Sequence, residues 1–269
     1  MTNLLAIRDE GEARIVALAK PESGNALSAT LVEELHGAIN AFEESPARVL
    51  VFTGHGRHFC TGFDLSDLET CSEADLMLRF IRIEQLLARI WSASWPSIAV
   101  AQGRTMGAGA DLFVACSRRI ALEDTTFKFP GSDFGIVLGT RRLMVRAGMA
   151  GLTQVEDGLE IPAARAVGLG LANEMVGRDD LDRALQGTIR NLTRLDAVTF
   201  AGLRSAIAGE RALLDHDLAT LVDSMTRPGL KNRVVAHWER QREKRARKAN
   251  DEARQAVRAR GSRLALTNG

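Results

Sequence analysis

Residues Gly103–Leu112 have the sequence GRTMGAGADL, in which small residues are concentrated between two apolar runs. It follows the apolar run Ser97–Gln102, typical of a strand, and leads into Leu112–Cys116, typical of a helix. A turn of small residues between a strand and a helix exposes backbone N–H groups, and the helix dipole adds to their attraction for an anion. Asp111 supplies a carboxylate one turn further along. Donors and an acid in one short segment suggest acyl chemistry, in which a developing oxyanion is stabilised.

The part of the chain before about Gly139 alternates strand-like and helix-like segments. Short apolar runs predict strands at Leu4–Arg8, Arg14–Ala19, Arg48–Thr53, Ser97–Gln102 and Arg118–Leu122, the first two forming a hairpin. Helical spacing of apolar residues predicts one helix over Ser28–Glu44, with Thr30 and Glu33 spaced as a capping box, and another over Ala74–Trp95, ended by Pro96.

Beyond about Gly139, strand signals fade apart from a short run at Met175-Val176. Helices are predicted over Arg141–Gly148, Pro162–Gly168, Asp180–Leu195, Thr199–Leu214 and Leu230–Arg258. We therefore expect an α/β core over residues 1–195 and a helical C-terminal region over residues 196–269.

Composition limits the possible function classes. The 269 residues are enough for one large α/β domain or two smaller ones, and the formal net charge of +1 gives no overall attraction to nucleic acid or to a membrane. Cys60, Cys71 and Cys116 are an odd number without metal-ligand spacing, as expected in a reducing compartment. The first residues lack the apolar core of a signal peptide, and no apolar run is long enough to span a bilayer. We expect a cytoplasmic protein.

A basic stretch near the C-terminus, WERQREKRARKANDEAR at positions 238–254, has two interpretations. It could bind a polyanion such as RNA or a nucleotide phosphate. The favoured interpretation is a solvated helix face with Glu–Arg pairs at i,i+4 spacing, since no aromatic residues interleave with the arginines. We expect no nucleic-acid partner.

Three other kinds of site have weaker support. A dinucleotide-binding loop needs G-x-G-x-x-G, but Gly107–Gly109 supplies only the first two glycines. His55 and His58 have the spacing of a metal-binding pair, yet the only close acid is Asp64, so an exposed pair without metal is favoured. Cys60 has no basic partner to activate it as a nucleophile, so it is interpreted as a small packing residue.

Four motifs occur together along the chain: NALS at Asn25–Ser28, FCTGFDL at Phe59–Leu65, GAGADL at Gly107–Leu112 and AARAVGLGLA at Ala163–Ala172. In this order and spacing they resemble the crotonase (enoyl-CoA hydratase/isomerase) superfamily, over roughly residues 4 to 225. The resemblance implies an α/β spiral of ββα units with a helical C-terminal region that packs homotrimers or dimers of trimers. It also implies an acyl-CoA thioester as substrate, with no cofactor and no metal.

The resemblance assigns expected roles to individual positions. The backbone N–H groups of Phe63 and Ala108 would hold the thioester oxygen, and Asp111 would carry the proton. The turn at Asn25, Ala26 and Leu27 would bind the CoA adenine through backbone groups. The substrate and CoA-binding positions implied in total are Asn25, Ala26, Leu27, Gly62, Asp64, Gly107 and Gly131.

The sequence departs from the family pattern where the reaction is decided. Asp111 stands where a glutamate is usual, and Gly131 stands where the second glutamate of hydratases is expected. Asp133, two residues later, is the candidate replacement. The usual glycine-rich loop is shortened before Arg141 and Arg142, for which an exposed structural role is the default. One carboxylate fits simple hydration poorly. The sequence leaves open hydration, isomerisation, decarboxylation, hydrolysis, and a non-catalytic CoA-binding or RNA-binding protein.

Overall fold

A computed structural model describes residues 4–208, 211–244 and 246–247. The chain divides into two compact units between Arg227 and Pro228. The second unit contains a helix over 230–244, in which Arg242 lies 4.6 Å from the ring centroid of Trp238. The rest of the predicted helix, from residue 248 to Arg258, lies outside the described residues, as do residue 245 and positions 248–254 of the basic stretch. The predicted boundary between residues 195 and 196 stays a prediction.

The strands of the first unit, in chain order, are β1 (Leu5–Glu10), β2 (Ala13–Leu18), β3 (Val49–Gly54), β4 (Ser97–Ala101), β5 (Arg104–Met106), β6 (Arg118–Leu122), β7 (Thr126–Lys128), β8 (Ile161–Pro162) and β9 (Glu174–Val176). The main sheet has the order β1-β2-β3-β4-β6-β9 and is parallel except for the β1–β2 hairpin. A second sheet has the order β5-β7-β8. The predicted strands are confirmed, whereas β5, β7 and β8 were missed because runs of two or three residues carry no periodic signal.

The helices of the first unit are α1 (Ala29–Glu43), α2 (Glu73–Ser92), α3 (Ala108–Ala115), α4 (Thr140–Glu156), α5 (Ala163–Gly168), α6 (Leu181–Thr193), α7 (Ala197–Ala208) and α8 (Arg211–Thr226). The single helix predicted over Thr199–Leu214 is helical in all its described residues, since α7 and α8 cover it apart from 209 and 210, which lie outside the described residues. The helix predicted over Arg141–Gly148 ends where expected: Gly148 has a φ of 59° and interrupts α4, and a second helical segment continues to Glu156. Among the residues described, no helix combines the length and the apolar character needed to cross a bilayer.

The predicted capping box at Thr30 and Glu33 is wrong. Ser28 caps α1 instead, because its Oγ accepts the N–H of Leu31 at 3.2 Å, which places Thr30 already inside the first turn. A capping box does form on α2, between Ser72 and Asp75.

Both faces of the main sheet are buried. On one face, Val16, Leu50 and Phe52 join the large core formed with α1, α2 and α3. On the other face, Ile15 and Val51 pack in a separate cluster with apolar residues of α6. A strand that is buried on both sides has no polar side to alternate with. This is why the strands appear in the sequence as continuous apolar runs.

Candidate active site

The turn after β2 is held by a buried side chain. Asn25 is fully buried, and its Nδ2 donates to the carbonyl oxygens of His55 at 3.0 Å and His58 at 2.7 Å, while its Oδ1 accepts the N–H of Lys20 at 2.9 Å. Its φ of 57° is a left-handed conformation that asparagine tolerates better than most residues. Asn25 therefore fixes the backbone of the turn that contains Leu27. Its side-chain amide is used in these hydrogen bonds to the protein backbone.

The loop after β3 pairs with this turn through its main chain. Leu27 donates its N–H to the oxygen of Gly62 at 2.7 Å, and Asp64 donates its N–H to the oxygen of Leu27 at 3.2 Å. The N–H of Phe63, which lies between them, has no hydrogen-bond acceptor among the described residues. The Phe63 ring stacks on Phe80 of α2 with centroids 4.5 Å apart, which anchors this loop.

The start of α3 lies against the same loop. Met106 donates its N–H to Cys60 at 3.0 Å, and Gly107 precedes α3 with φ 50°. A Cβ on Gly62 would come 2.6 Å from the oxygen of Met106 and 3.5 Å from the nitrogen of Ala108, so the two backbones touch. Ala108 begins the helix, and in the described part of the chain its N–H has no acceptor. The two predicted donors thus lie on loops in direct contact.

Gly109 and Cys60 form the tightest part of this contact. A Cβ on Gly109 would overlap the carbonyl oxygen of Cys60 and come 2.7 Å from its Sγ. Burial raises the pKa of the Cys60 thiol to about 12, so the thiol stays protonated at neutral pH. Cys60 is a packing residue, as expected.

Asp111 is almost completely buried, with 4% of its surface exposed. Its carboxyl makes no hydrogen bond to any described residue, and its Oδ1 occupies the space where Gly139, the residue before α4, would carry a Cβ. Burial raises the pKa of Asp111 to about 8; the positive charge of Arg142 opposes this rise and the negative charge of Glu84 adds to it. At neutral pH the carboxyl is therefore mostly protonated in the free protein.

An exposed position was expected for Arg142, and this expectation is wrong: Arg142 is fully buried. Its two terminal nitrogens donate to the two carboxylate oxygens of Glu84 on α2, at 2.8 and 2.5 Å. Arg141 is partly exposed and pairs with Asp217 on α8 at 2.7 Å. Sequence reasoning missed Glu84, although one signal was present. Glu84 interrupts the apolar face of α2 that Phe80 and the residues near Leu87 continue.

The second acid is not found where the family pattern places it. Gly131 lies in a 3-10 helix over Pro130–Phe134, and a Cβ there would come 2.9 Å from the oxygen of Ile136, so a side chain does not fit without backbone movement. Asp133 is exposed, and its Oδ1 lies 3.7 Å from the position of a Cβ on Gly158. Gly158 follows α4, whereas Asp111 packs at the opposite end of that helix. The contacts seen are Asp133 with Gly158 and Asp111 with Gly139, and the catalytic role of Asp133 stays a prediction.

The remaining candidates have structural partners. Asp64 is buried, and its Oδ1 accepts the N–H of Ser66 at 2.9 Å. His55 is exposed, whereas His58 is half-buried and its Nδ1 accepts the N–H of Arg104 at 3.0 Å. Over the described ranges, no three His, Cys, Asp or Glu side chains are grouped as metal ligands.

A cleft of about 490 Å³ adjoins Leu27, between the start of α1 and the middle of α2. Val32 and Ile83 form part of its apolar lining. Arg79 and Arg82 also line it, and each is paired with a carboxylate, from Asp67 and Glu33 respectively. The cleft is therefore mainly apolar with a polar, charge-balanced edge.

A profile of the enoyl-CoA hydratase/isomerase family matches residues 10–217. The chain belongs to this family. A crystal structure described as an enoyl-CoA hydratase/isomerase from Bordetella parapertussis superposes with a TM-score of 0.84 at 36% identity, covering 88% of this chain and 99% of that one. The structure of this family member is thus a mixed α/β crotonase fold with helices toward its C-terminus, as predicted.

Curated relatives of this enoyl-CoA hydratase/isomerase family member share about a third of the aligned residues. A protein named probable enoyl-CoA hydratase from Rhodobacter capsulatus is 31% identical over 205 residues, covering 71% of this chain and 76% of the relative. A Mycobacterium bovis protein with the same description is 36% identical over 123 residues, 46% of this chain and 49% of the relative. The chain thus aligns with about half the length of several curated relatives.

We predict that Gly109→Ala destabilises the protein by about 1–3 kcal/mol, because the new methyl group overlaps the Cys60 backbone. Gly37→Ala is the matched control, since Gly37 lies in α1 with open space around its Cβ position. It should stabilise the protein by about 0.5–1 kcal/mol. Urea unfolding measures both. Equal effects of the two substitutions would show that the loop does not press on α3.

We predict that Asp111→Asn gains stability relative to the wild type as the pH rises from 5 to 8. The folded-state pKa of about 8 lies above the unfolded value of 3.8, so between these values the folded protein holds a proton that the unfolded chain has released. Wild-type stability therefore falls with rising pH in this window, by at most about 1.4 kcal/mol per pH unit from this group, and asparagine removes the fall. Parallel stability curves for the two proteins would refute a raised Asp111 pKa.

Proposed function

We propose that this protein acts on an acyl-CoA thioester. The N–H groups of Phe63 and Ala108 would receive the thioester oxygen, and Asp111 would move a proton at the carbon chain beside it. Enolisation places negative charge on that oxygen, and one preorganised donor can contribute about 3 kcal/mol to the transition state. Asp111 follows Ala108 by one turn of α3, so acid and donor belong to the same rigid element.

One observation carries the proposal: the buried carboxyl of Asp111 lies beside a backbone contact at which two N–H groups have no acceptor among the described residues. These N–H groups can donate hydrogen bonds to an oxygen atom of a bound ligand. The raised pKa of Asp111 puts its proton exchange within the physiological range. Family membership makes a CoA thioester the best candidate for the molecule that brings this oxygen.

Double-bond isomerisation is the reaction that this arrangement supports best. Ionised Asp111 would take a proton from C2 of a 3-enoyl thioester, whose C–H electron pair forms an enolate. It would then return the proton to C4 as the double bond moves to C2–C3 and the carbonyl reforms. One carboxylate suffices for both transfers and no cofactor is needed. Hydration would require a second group to activate water, and the position expected for it, Gly131, has no room for a side chain.

The proposed CoA site includes the turn at Asn25, Ala26 and Leu27 and the neighbouring cleft. Backbone groups of this turn would contact the adenine, and Gly62, Asp64, Gly107 and Gly131 would border the substrate. The apolar cleft suits part of the acyl or pantetheine chain, because it combines an apolar lining with few polar groups.

The proposal extends to assembly and location. Val198, Leu203 and Ile207 on α7 expose large apolar side chains, which supports self-association as a homotrimer or dimer of trimers. Cys60, Cys71 and Cys116 are free thiols, which supports a reducing compartment such as the cytoplasm.

We predict that the protein converts a 3-enoyl-CoA into the 2-enoyl-CoA without adding water. In D₂O, NMR should show deuterium exchange at the acyl chain and no 3-hydroxyacyl product. The value of kcat should rise with pH up to about 8 and then level, because ionised Asp111 is the base. Asp111→Asn should lower kcat by roughly 10²–10⁴-fold.

Asp179→Asn is the control, because it makes the same chemical change on an exposed side chain and should leave turnover unchanged. A water adduct formed at a comparable rate, and lost in Asp133→Asn, would replace isomerisation by hydration with Asp133 as the second acid. Binding of CoA without turnover of any thioester would indicate a non-catalytic protein.

A further inference from the structure

A buried ion pair lies next to Asp111, on elements that the proposed reaction does not use. Glu84 on α2 is 1% exposed and Arg142 on α4 is fully buried. Both helices pack against α3, which carries Asp111. Three ionisable side chains thus share a region almost without solvent, where charges act on one another strongly.

Both terminal nitrogens of the Arg142 guanidinium are bound by a carboxylate other than that of Asp111. Arg142 Nη1 and Nη2 donate to the two oxygens of Glu84, and Nη1 also lies 3.7 Å from Oδ2 of Asp217 on α8. The Nε of Arg142 has no partner within the described residues. The Asp111 carboxyl receives no hydrogen bond from this guanidinium, although the positive charge is near enough to act on it.

We propose that Glu84 is a positioning residue for Asp111: by binding both terminal nitrogens of Arg142, it prevents this cation from pairing with the Asp111 carboxyl, which stays free to exchange a proton with the substrate. This inference rests on the proposed function of Asp111. It assigns a role to a residue that does not touch the substrate and that belongs to none of the four sequence motifs.

Energetics make a purely structural role a poor account of Glu84. A buried ion pair loses much of its attraction to the cost of removing two charges from water, and an apolar pair of similar volume is often equally stable or more stable. Without Glu84, Arg142 would keep only the longer contact with Asp217, at 3.7 Å, and its Nη2 would lose its carboxylate partner beside a buried acid. An arginine that pairs with a carboxyl typically lowers the pKa of that carboxyl by about 1–3 units. Asp111 would then be held as a weak base in an ion pair.

Among the charged groups on the elements packed against α3, Arg142 and Glu84 are the two that act on the Asp111 carboxyl. Helix α4 contributes Arg141, Arg142 and Arg146. Arg141 is engaged by Asp217 of α8, and Arg146 donates to the carbonyl oxygens of Val114 and Cys116 at the C-terminal end of α3. Of the strands packed on α3, β4 has no ionisable side chain, and Arg104 of β5 is not among the charges acting on Asp111. Burial is the largest effect on the Asp111 pKa, and the charges of Arg142 and Glu84 add to it with opposite sign.

The test is the titration of Asp111 in Glu84→Gln, which removes the charge and keeps the shape. The carbonyl stretch of protonated Asp111, identified by its loss in Asp111→Asn, is followed by infrared difference spectroscopy in ligand-free protein. The pKa of Asp111 should fall by about one unit or more. The rising limb of the pH profile of kcat for a 3-enoyl-CoA should move down by the same amount, with KM changed less than about twofold, because Glu84 does not contact the substrate.

Two further substitutions serve as controls. Glu43→Gln breaks a matched Glu–Arg pair, with Arg89 of α2, at the protein surface and outside the proposed CoA cleft, and it should leave both the Asp111 pKa and the pH profile unchanged. Glu84→Asp keeps the negative charge and should return the Asp111 pKa toward its wild-type value. If Glu84→Gln does not fold, the double substitution Glu84→Met with Arg142→Met removes both charges at similar volume. It should raise the Asp111 pKa, because the opposing effect of Arg142 is the larger of the two.

An unchanged Asp111 pKa in Glu84→Gln, or in the double variant, would overturn the inference. A reduced kcat without movement of the pH profile would also overturn it, since that result indicates a structural effect alone. The spectroscopic titration needs no substrate. If the wild type turned over no thioester while the Asp111 pKa still shifted, the proposed function would fail and the control of Asp111 by Glu84 would stand.

Discussion

The contact between the backbone of the loop after β3 and the start of α3 is the constraint on which the candidate site depends. It forms because Gly62 and Gly109 carry no side chain at the two points where the chains touch. Hydrogen bonds from Leu27 and Met106 use the neighbouring acceptors, Gly62 and Cys60, and fix both loops. In this arrangement the N–H groups of Phe63 and Ala108 have no acceptor among the described residues. Their availability is thus a consequence of the packing, and it does not depend on the chemical character of the side chains at positions 63 and 108.

The second determinant is the burial of Asp111, which leaves 4% of its surface exposed. Two charges compete there, since Arg142 favours the ionised carboxylate and Glu84 disfavours it, but the cost of burial is the largest effect and raises the pKa. The same site exposed to solvent would contain an ordinary aspartate, ionised at neutral pH and of little use as a proton donor. The surrounding helices therefore decide what the acid can do, and the fold by itself does not specify the reaction.

The third determinant is the lack of space for a side chain at Gly131. Hydratases that use two glutamates need room for both, whereas the carbonyl of Ile136 fills the space that a side chain at position 131 would need. Asp111 supplies one carboxyl to the candidate site, and position 131 has no space for a second one. Together they favour a reaction in which one group takes and returns a proton.

The order of the main elements and the backbone character of the site can be predicted from the amino-acid sequence. Strands such as β3 and β4 are buried on both faces and therefore appear as unbroken apolar runs, and the glycines of the Gly107–Leu112 motif reveal a close backbone approach. Only the tertiary structure decided which charges surround Asp111. Glu84, Arg142 and Asp217 are far apart in the chain and meet through helix packing, which leaves no local pattern except an acid on an apolar face. The short strands of the second sheet were hidden for the same reason, because their pairing is between distant segments and two or three residues carry no period.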